Sequence, residues 1–370
     1  MAEVLVQAGP LREFIKQVAL AVGADEAAAS EVAHHLVRAN LSGHDSHGVL
    51  RMPWYNQVIK SGQMQPSVQP KILRERGATV LIDAGASFGQ YSTMFGLEWA
   101  IKTAREYGIA TAAIRHSSHI GRLGEYAERA TAAGMVGIAT YGVAGTGTGI
   151  VVPFGGRERF LGTNPWAFGI PTTEDDPMLY DAATSTIAEG KIRVARAKGG
   201  QLPPGCIIDN DGLPSTTPDD FYDGGALLPL GGATGGHKGY GLAMSAALIG
   251  GLAMIDDNIQ GSWDVGARLG RTDDAASGPR GHITGVVLIV IDPSFFGDTD
   301  QYRALTGATV SAVRGVRPAE GTEHVLSPGD PESQTRARRE RDGIPLADAT
   351  WDELTALGQE YNIPMPDVTR

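Results

Sequence analysis

Residues 285–292 read GVVLIVID, a near-continuous apolar run, and a strand of that composition has to be covered on both faces. The chain must therefore supply helices to two sides of a sheet. TVLIDA (79–84) and IATAAIR (109–115) read as strands, and between them FGLEWAIKTAREYG forms an amphipathic helix stopped by Gly108. HSSHIGRLGEYAERATAAG predicts the next helix, from near Gly121 to Gly134, and MVGIATYGV a further strand. This alternation predicts a layered α/β architecture.

The flanks read as helix and loop. Leu11, Phe14, Ile15, Val18 and Val22 repeat at helical spacing, Gly23 ends that helix, and Asp25 can cap a second one carrying Val32, Leu36 and Val37. A third helical pattern follows GHDSHG and runs to about Lys60, and residues 62–78 read as connection. Residues 150–185 are rich in loops, with MLYD a short strand, and a helix is expected over Ile187–Ala197. KGYGLAMSAALIGGLAM reads as a long buried helix, and further helices are expected at 299–314, 331–341 and TWDELTALGQEYN. The charge run 330–342 fits a solvated helix face.

With 31 basic and 42 acidic residues the net charge is −11. A phosphate backbone needs a basic stripe, so nucleic acid is not the expected partner. A small anion remains possible, because one local Arg or Lys suffices. The single cysteine, Cys206, excludes an intrachain disulfide and a zinc site built from several thiolates. No run approaches the length of a membrane span. MAEVLVQAGPLREFIKQ carries Glu3 and lacks the basic start and apolar stretch of a signal peptide. A soluble, cytoplasmic protein is expected.

Two glycine-rich stretches fail as nucleotide motifs. GVAGTGTGI (142–150) follows a strand, but its last glycine spacing departs from G-x-G-x-x-G and no helix follows. GGATGGHKG (231–239) has His237 before the lysine and Gly239 where a phosphate loop has Ser or Thr. Any nucleotide has to be held by another fold.

Titratable groups gather in two places. In LSGHDSHGVLRMPWYNQVI, a helix beginning near Ser46 puts His47, Arg51 and Tyr55 at i, i+4 and i+8 on one face. Arg51 can clamp a carboxylate, His47 can exchange a proton near neutral pH, and Tyr55 can donate a hydrogen bond. An exposed polar stripe is the plain alternative. In RHSSHIGRLGEY, His119 stands between a strand end and a helix start, where ligands of α/β proteins are often held. His44, Asp45, His47, His116 and His119 could also hold a metal, although no H-E-x-x-H occurs. Lys238 reads as a cation just ahead of a helix, suited to an anionic group. HVLSPGDPE reads as a turn and helix cap.

Seven segments, GHDSHGVLRMPWY, HSSHIGRLGEYA, PFGG, LGTNPWAFGIPT, YDAATSTIAEGKI, GHKGYGL and SPGDPE, occur in order from residue 43 to 332. In them the chain closely resembles the malate/L-lactate dehydrogenase-like (type 2) oxidoreductases, which include L-sulfolactate and ureidoglycolate dehydrogenases. The resemblance implies a non-Rossmann mixed sheet flanked by helices, with an N-terminal helical region, and a homodimer. It implies NAD or NADP as cofactor and a small 2-hydroxy acid as substrate, oxidised to the 2-oxo acid or formed from it.

Residue by residue, the resemblance makes Ser46, His47 and His119 catalytic, and Arg51, Tyr55, Thr163 and Asn164 substrate-binding. His119, Ile120, Gly121, Arg122, Leu123, Asp181, Ala182, Ala183, His237, Lys238, Pro328 and Gly329 become cofactor contacts. Ala182 stands where the family often has a larger apolar residue, and His116 where many members have Asn or Arg. The expected organisation is an N-terminal helical region (1–75) carrying catalytic residues, an NAD(P)-binding α/β domain (76–310), and a C-terminal helical segment (311–370) packing with the first region. Reduction of a cyclic imine such as piperideine-2-carboxylate, or of a diketo acid, is the near alternative. A histidine-based metallohydrolase is the alternative from another class.

Overall fold

A computed structural model describes residues 3–145, 149–174, 176–255 and 283–369. Gly147, the middle glycine of GVAGTGTGI, lies outside the described residues. In chain order the elements are β1 (Glu3–Val6), α1 (Ala8–Ala21), α2 (Glu26–Leu41), α3 (Met52–Lys60), β2 (Lys71–Arg76), β3 (Thr79–Asp83), α4 (Gly89–Tyr107), β4 (Ile109–Arg115), α5 (Gly124–Ala132) and β5 (Val136–Ala144). Then come β6 (Trp166–Ile170), β7 (Met178–Ala182), α6 (Glu189–Ala197), β8 (Ile207–Ile208), β9 (Pro214–Ser215), α7 (Pro218–Tyr222), β10 (Ala226–Leu227) and α8 (Gly232–Gly250). The last are β11 (Ile283–Ile291), α9 (Thr299–Arg314), α10 (Asp330–Asp342), β12 (Ile344–Ala347), α11 (Asp348–Tyr361) and β13 (Val368–Thr369).

The apolar run forms β11, the central strand of a seven-stranded sheet ordered β2-β3-β4-β11-β5-β6-β7. Only β3 and β4 pair in parallel; every other neighbour is antiparallel. The sheet is therefore mixed and flanked by helices, the predicted class. Alternation along β11 divides its side chains between two layers. Val286, Leu288 and Val290 join α4 and α5 through Leu97, Ala100, Tyr126 and Ala130, while Val287 and Ile289 meet Ile249 and Ala253 at the end of α8. Here α8 presses on the sheet at glycines. A Cβ at Gly142 would overlap the Ala246 carbonyl, and one at Gly285 the Gly250 carbonyl.

A second module joins the two ends of the chain. β1 pairs antiparallel with β12 and β13, and Leu11, Phe14, Leu36 and Tyr55 share a core with Ile344, Leu354 and Leu357. Asp25 caps α2 by accepting from the Ala28 N–H at 2.8 Å, worth about 1 kcal/mol. A small sheet ordered β10-β8-β9 lies against α6, α7 and the buried side of α8 through Ile192, Ile207, Phe221 and Ala243.

Several expectations need correction. Residues 71–76 form an edge strand rather than connection; all six residues are exposed, so no alternation marked them. WAFGI within the loop-rich middle is strand β6, and β1, β12 and β13 lie outside the strands that the sequence pattern predicts. α5 begins at Gly124, not near Gly121. α8 starts at Gly232, which puts His237 and Lys238 inside the helix rather than ahead of it. Nor is that helix buried all round: Leu242 and Leu248 are exposed, as is Leu252 just beyond it.

Candidate active site

GHDSHGVLRMPWY is not one helix. Residues 45–47 and 49–51 form two short 3-10 turns separated by Gly48, whose backbone is extended, and α3 starts at Met52 with Pro53 in its first turn. That is where the missing N–H of proline is tolerated. Gly48 leaves no room for a side chain, because a Cβ there would overlap the Asn40 amide. The predicted stripe of His47, Arg51 and Tyr55 is thus broken in its backbone, yet the three side chains share one neighbourhood.

His47 and His119 stack with ring centroids 5.4 Å apart and planes 23° from parallel. Trp54 meets His119 edge-on at 6.0 Å. His47 Nδ1 shares a 2.9 Å hydrogen bond with the Ser46 hydroxyl. His119 Nδ1 lies 2.8 Å from the Tyr55 oxygen and accepts the Gly121 N–H at 3.3 Å. Tyr55 is fully buried and also accepts from Gln90 Nε2 at 2.6 Å. Gln90, equally buried, has no counterpart in the sequence reading, since nothing in its GQY context marks it.

Burial, and then the charge of Arg51, lowers the His47 imidazole to about 3 and His119 well below the usual histidine range. Both rings are neutral near pH 7. Burial also raises the Tyr55 phenol, so it keeps its proton. Arg51 anchors its Nε on the Ser46 carbonyl at 2.6 Å, and nothing among the described residues takes up its two terminal nitrogens. An open guanidinium fork beside two neutral imidazoles can bind a carboxylate and handle the proton of an adjoining oxygen.

The remaining histidines of the two clusters turn elsewhere. His44 pairs with Glu332 of α10 at 3.3 Å, and His116 with Asp83 at 3.1 Å. Among the described residues no group of three or more His, Cys, Asp or Glu is placed to hold a metal ion.

Three of the proposed cofactor segments meet at edge strand β7 of the main sheet. Asp181, on β7, accepts the Gly124 N–H at 2.7 Å, which ties the His119–Leu123 loop to that strand and to Ala182 and Ala183 behind it. Ile120 and Leu123 are buried. The Pro328 carbonyl accepts from Leu179 N at 3.0 Å, and Gly329 opens α10 with a φ of 101°. A phosphate-bearing cofactor needs an available cation, and Lys238 on α8 makes no ion pair or hydrogen bond among the described residues. His237 beside it touches the Phe154 ring. Lys238 is thus a cation that could meet a phosphate group.

Three residues stand differently from their expected roles: Tyr55, expected to bind substrate, is fully buried with its hydroxyl taken up by His119 and Gln90, and Arg122 and Asn164 are engaged as follows. The Arg122 side chain is fully buried, paired with Glu128 at 2.8 Å and near Asp181 at 3.8 Å, so only its backbone is left for a ligand. Asn164 donates from its amide nitrogen to the Val143 and Ala243 carbonyls, and its Oδ1 accepts the Val143 N–H. It ties β5 to α8, which leaves Thr163 as the member of that pair whose hydroxyl has no partner among the described residues.

Behind the site, His35 is fully buried and neither ring nitrogen has a hydrogen-bond partner among the described residues. Burial, chiefly, lowers it from 6.5 to about 4. The unfolded chain therefore takes up a proton that the folded chain refuses as pH falls through this window, and stability falls with it. The loss totals roughly 3 kcal/mol. Urea midpoints measured between about pH 6 and pH 5 should decline in the wild type and decline less in His35→Leu. Equal slopes would contradict the assignment.

A sequence model of the malate/L-lactate dehydrogenase family matches residues 6–355. Hydroxycarboxylate dehydrogenase B of Escherichia coli O157:H7 is 36% identical over 356 residues, covering 96% of this chain and 93% of the relative. The structure of malate dehydrogenase from Entamoeba histolytica superposes with a TM-score of 0.88 at 28% identity, covering 99% of this chain and 100% of that one. Sulfolactate dehydrogenase from Methanocaldococcus jannaschii gives 0.83 at 30% identity, covering 98% of each.

Proposed function

The chain belongs to the malate/L-lactate dehydrogenase family, and on that premise we propose that it is an NAD- or NADP-dependent oxidoreductase interconverting a small 2-hydroxy acid and its 2-oxo acid. The observation that carries the reading is the open fork of Arg51 beside the stacked, neutral His47 and His119. Arg51 fixes the substrate carboxylate through two parallel hydrogen bonds, and that sets the position of C2. In oxidation a neutral imidazole takes the hydroxyl proton; in reduction it returns one to the oxygen. The bound carboxylate brings negative charge beside the rings and raises their affinity for a proton. Thr163 supplies a hydroxyl at the floor of the site.

The loop His119–Leu123, Asp181–Ala183, His237, Lys238 and Pro328–Gly329 would hold the cofactor. A bound nicotinamide supplies or removes the hydride. Asp181, by holding the Gly124 N–H, keeps that loop in place.

Two tests follow. Loss of reduced-nicotinamide absorbance with each cofactor, across 2-oxo acids and cyclic imines, should show turnover of a 2-oxo acid. Activity confined to an imine would favour the alternative reductase, and chelator-sensitive hydrolysis without cofactor would favour the hydrolase. Arg51→Lys keeps the charge but loses the planar fork, so KM for the acid should rise roughly 10- to 100-fold. An unchanged KM would remove the carboxylate clamp.

The second copy of a homodimer covers the exposed Leu242, Leu248 and Leu252 of the α8 region in this reading, and sedimentation should give twice the 38.8 kDa chain mass. No helix of the described residues is long and apolar enough to cross a membrane. With one buried cysteine and a diffusible substrate, we place the enzyme in the cytoplasm.

A further inference from the structure

The hydrogen-bond chain behind His119 has a fixed direction. It starts at the Gly121 backbone N–H, which can only donate, and which meets His119 Nδ1 at 3.3 Å. A nitrogen that accepts this bond carries no proton. The Tyr55 hydroxyl, 2.8 Å from the same Nδ1, must therefore donate its one proton to it. The Tyr55 oxygen then has to be an acceptor toward its other neighbour, and Gln90 Nε2 stands there at 2.6 Å. The Gln90 carbonyl oxygen makes no hydrogen bond among the described residues, so the bond to Tyr55 is what orients the amide. Turned over, the amide would draw the Tyr55 proton to itself and set the phenol oxygen against the bare lone pair of Nδ1.

Packing keeps each member in place. Gln90 and Tyr55 are both fully buried, and Gln90 is the second residue of α4. Gly121 has a φ of 73°, and a Cβ there would overlap the His35 ring. A side chain at Gly121 would therefore displace the loop backbone that aims the Gly121 N–H at His119. On the far side of the imidazole, Nε2 has no hydrogen-bond partner among the described residues.

We propose that Gln90 is a positioning residue which, through Tyr55, fixes His119 as the tautomer protonated on Nε2, so that His119 offers the substrate a hydrogen-bond donor rather than a proton acceptor. The consequence for catalysis rests on the oxidoreductase reading above. His119 holds the C2 oxygen of the substrate with its Nε2–H in both directions, and it does not take the hydroxyl proton. Its partner ring differs in this respect. His47 Nδ1 faces the Ser46 hydroxyl, which can rotate to donate or to accept, so His47 is not locked in one form.

The test uses the full chain labelled with ¹⁵N-histidine, read by two-bond ¹H–¹⁵N correlation and assigned with His119→Asn. It needs neither substrate nor cofactor, so it stands even if the oxidoreductase reading fails. The wild type should show His119 with a protonated Nε2 and a bare Nδ1 near pH 7. Gln90→Glu keeps the shape but reverses the bond once its carboxylate ionises, because a carboxylate can only accept. From about pH 7 to pH 9 His119 in this variant should pass from the wild-type pattern to Nδ1–H. Over the same range kcat should fall by about 10²-fold with little change in KM, the cost of one lost oxyanion donor. A wild-type His119 protonated on Nδ1 overturns the proposal without recourse to any variant. A folded Gln90→Glu that keeps the wild-type pattern and kcat throughout removes Gln90 from the role.

Discussion

His47→Ala is expected to lower kcat by roughly 10³-fold, the loss of one positioned general acid–base group, with KM for the hydroxy acid little changed. The reasoning starts from burial. Burial and the neighbouring Arg51 charge bring His47 to about 3, so at neutral pH the ring is a proton acceptor ready for a substrate hydroxyl. Arg51 remains in the variant with its Nε on the Ser46 carbonyl, which keeps carboxylate binding intact and puts the loss in the chemical step. Ser46→Ala removes only the hydroxyl on His47 Nδ1 and should have a smaller effect. Steady-state rates at saturating substrate separate these outcomes. A His47→Ala enzyme within about tenfold of the wild type would take proton exchange away from this ring.

The second large effect is on stability. Arg122 is fully buried and anchors a network of charges: Glu128 at 2.8 Å, Asp181 at 3.8 Å, and the Ser42 hydroxyl at 3.2 Å. Glu128 in turn meets Arg38 at 3.3 Å and Arg336 at 2.8 Å, and Arg336 reaches Asp176. The network joins α2, α5, β7 and α10, the elements that hold the His119 loop from behind. Arg122→Met fills much of the space but leaves the acids facing one another without their buried cation. The expected cost is about 3–5 kcal/mol, read as a lowered urea midpoint. Release of Asp181 should also loosen the Gly124 N–H and weaken cofactor affinity. A loss under about 1 kcal/mol would mean that Arg38 and Arg336 carry the network alone.

What the sequence disclosed followed from local pattern. GVVLIVID is apolar at every position that faces α4, α5 or α8, so the covered central strand could be read directly. Gly108 at φ 82° and Asp25 as a cap are local punctuation and were equally legible. β2 was not, because an edge strand with every residue exposed shows no periodicity. The break at Gly48 escaped for a related reason. Spacing alone puts His47, Arg51 and Tyr55 on a helix face, whereas Gly48 is extended and the Asn40 side chain from α2 accepts the Val49 N–H at 2.8 Å. Gln90 and Arg122 mark a different limit. Gln90 meets Tyr55 across 35 positions, and Arg122 meets Asp181 across 59; contacts of that range leave no mark in local spacing. The resemblance supplied the residue types of the site, but not the direction of their hydrogen bonds.

The central claim is transfer between a nicotinamide cofactor and C2 of the acid. Its most direct test is to supply reduced cofactor carrying deuterium at the transferable position, together with a 2-oxo acid, and to examine the product by mass spectrometry and proton NMR. The account predicts a 2-hydroxy acid with deuterium on C2 and none elsewhere. Product without deuterium, or formed equally well without cofactor, would contradict it.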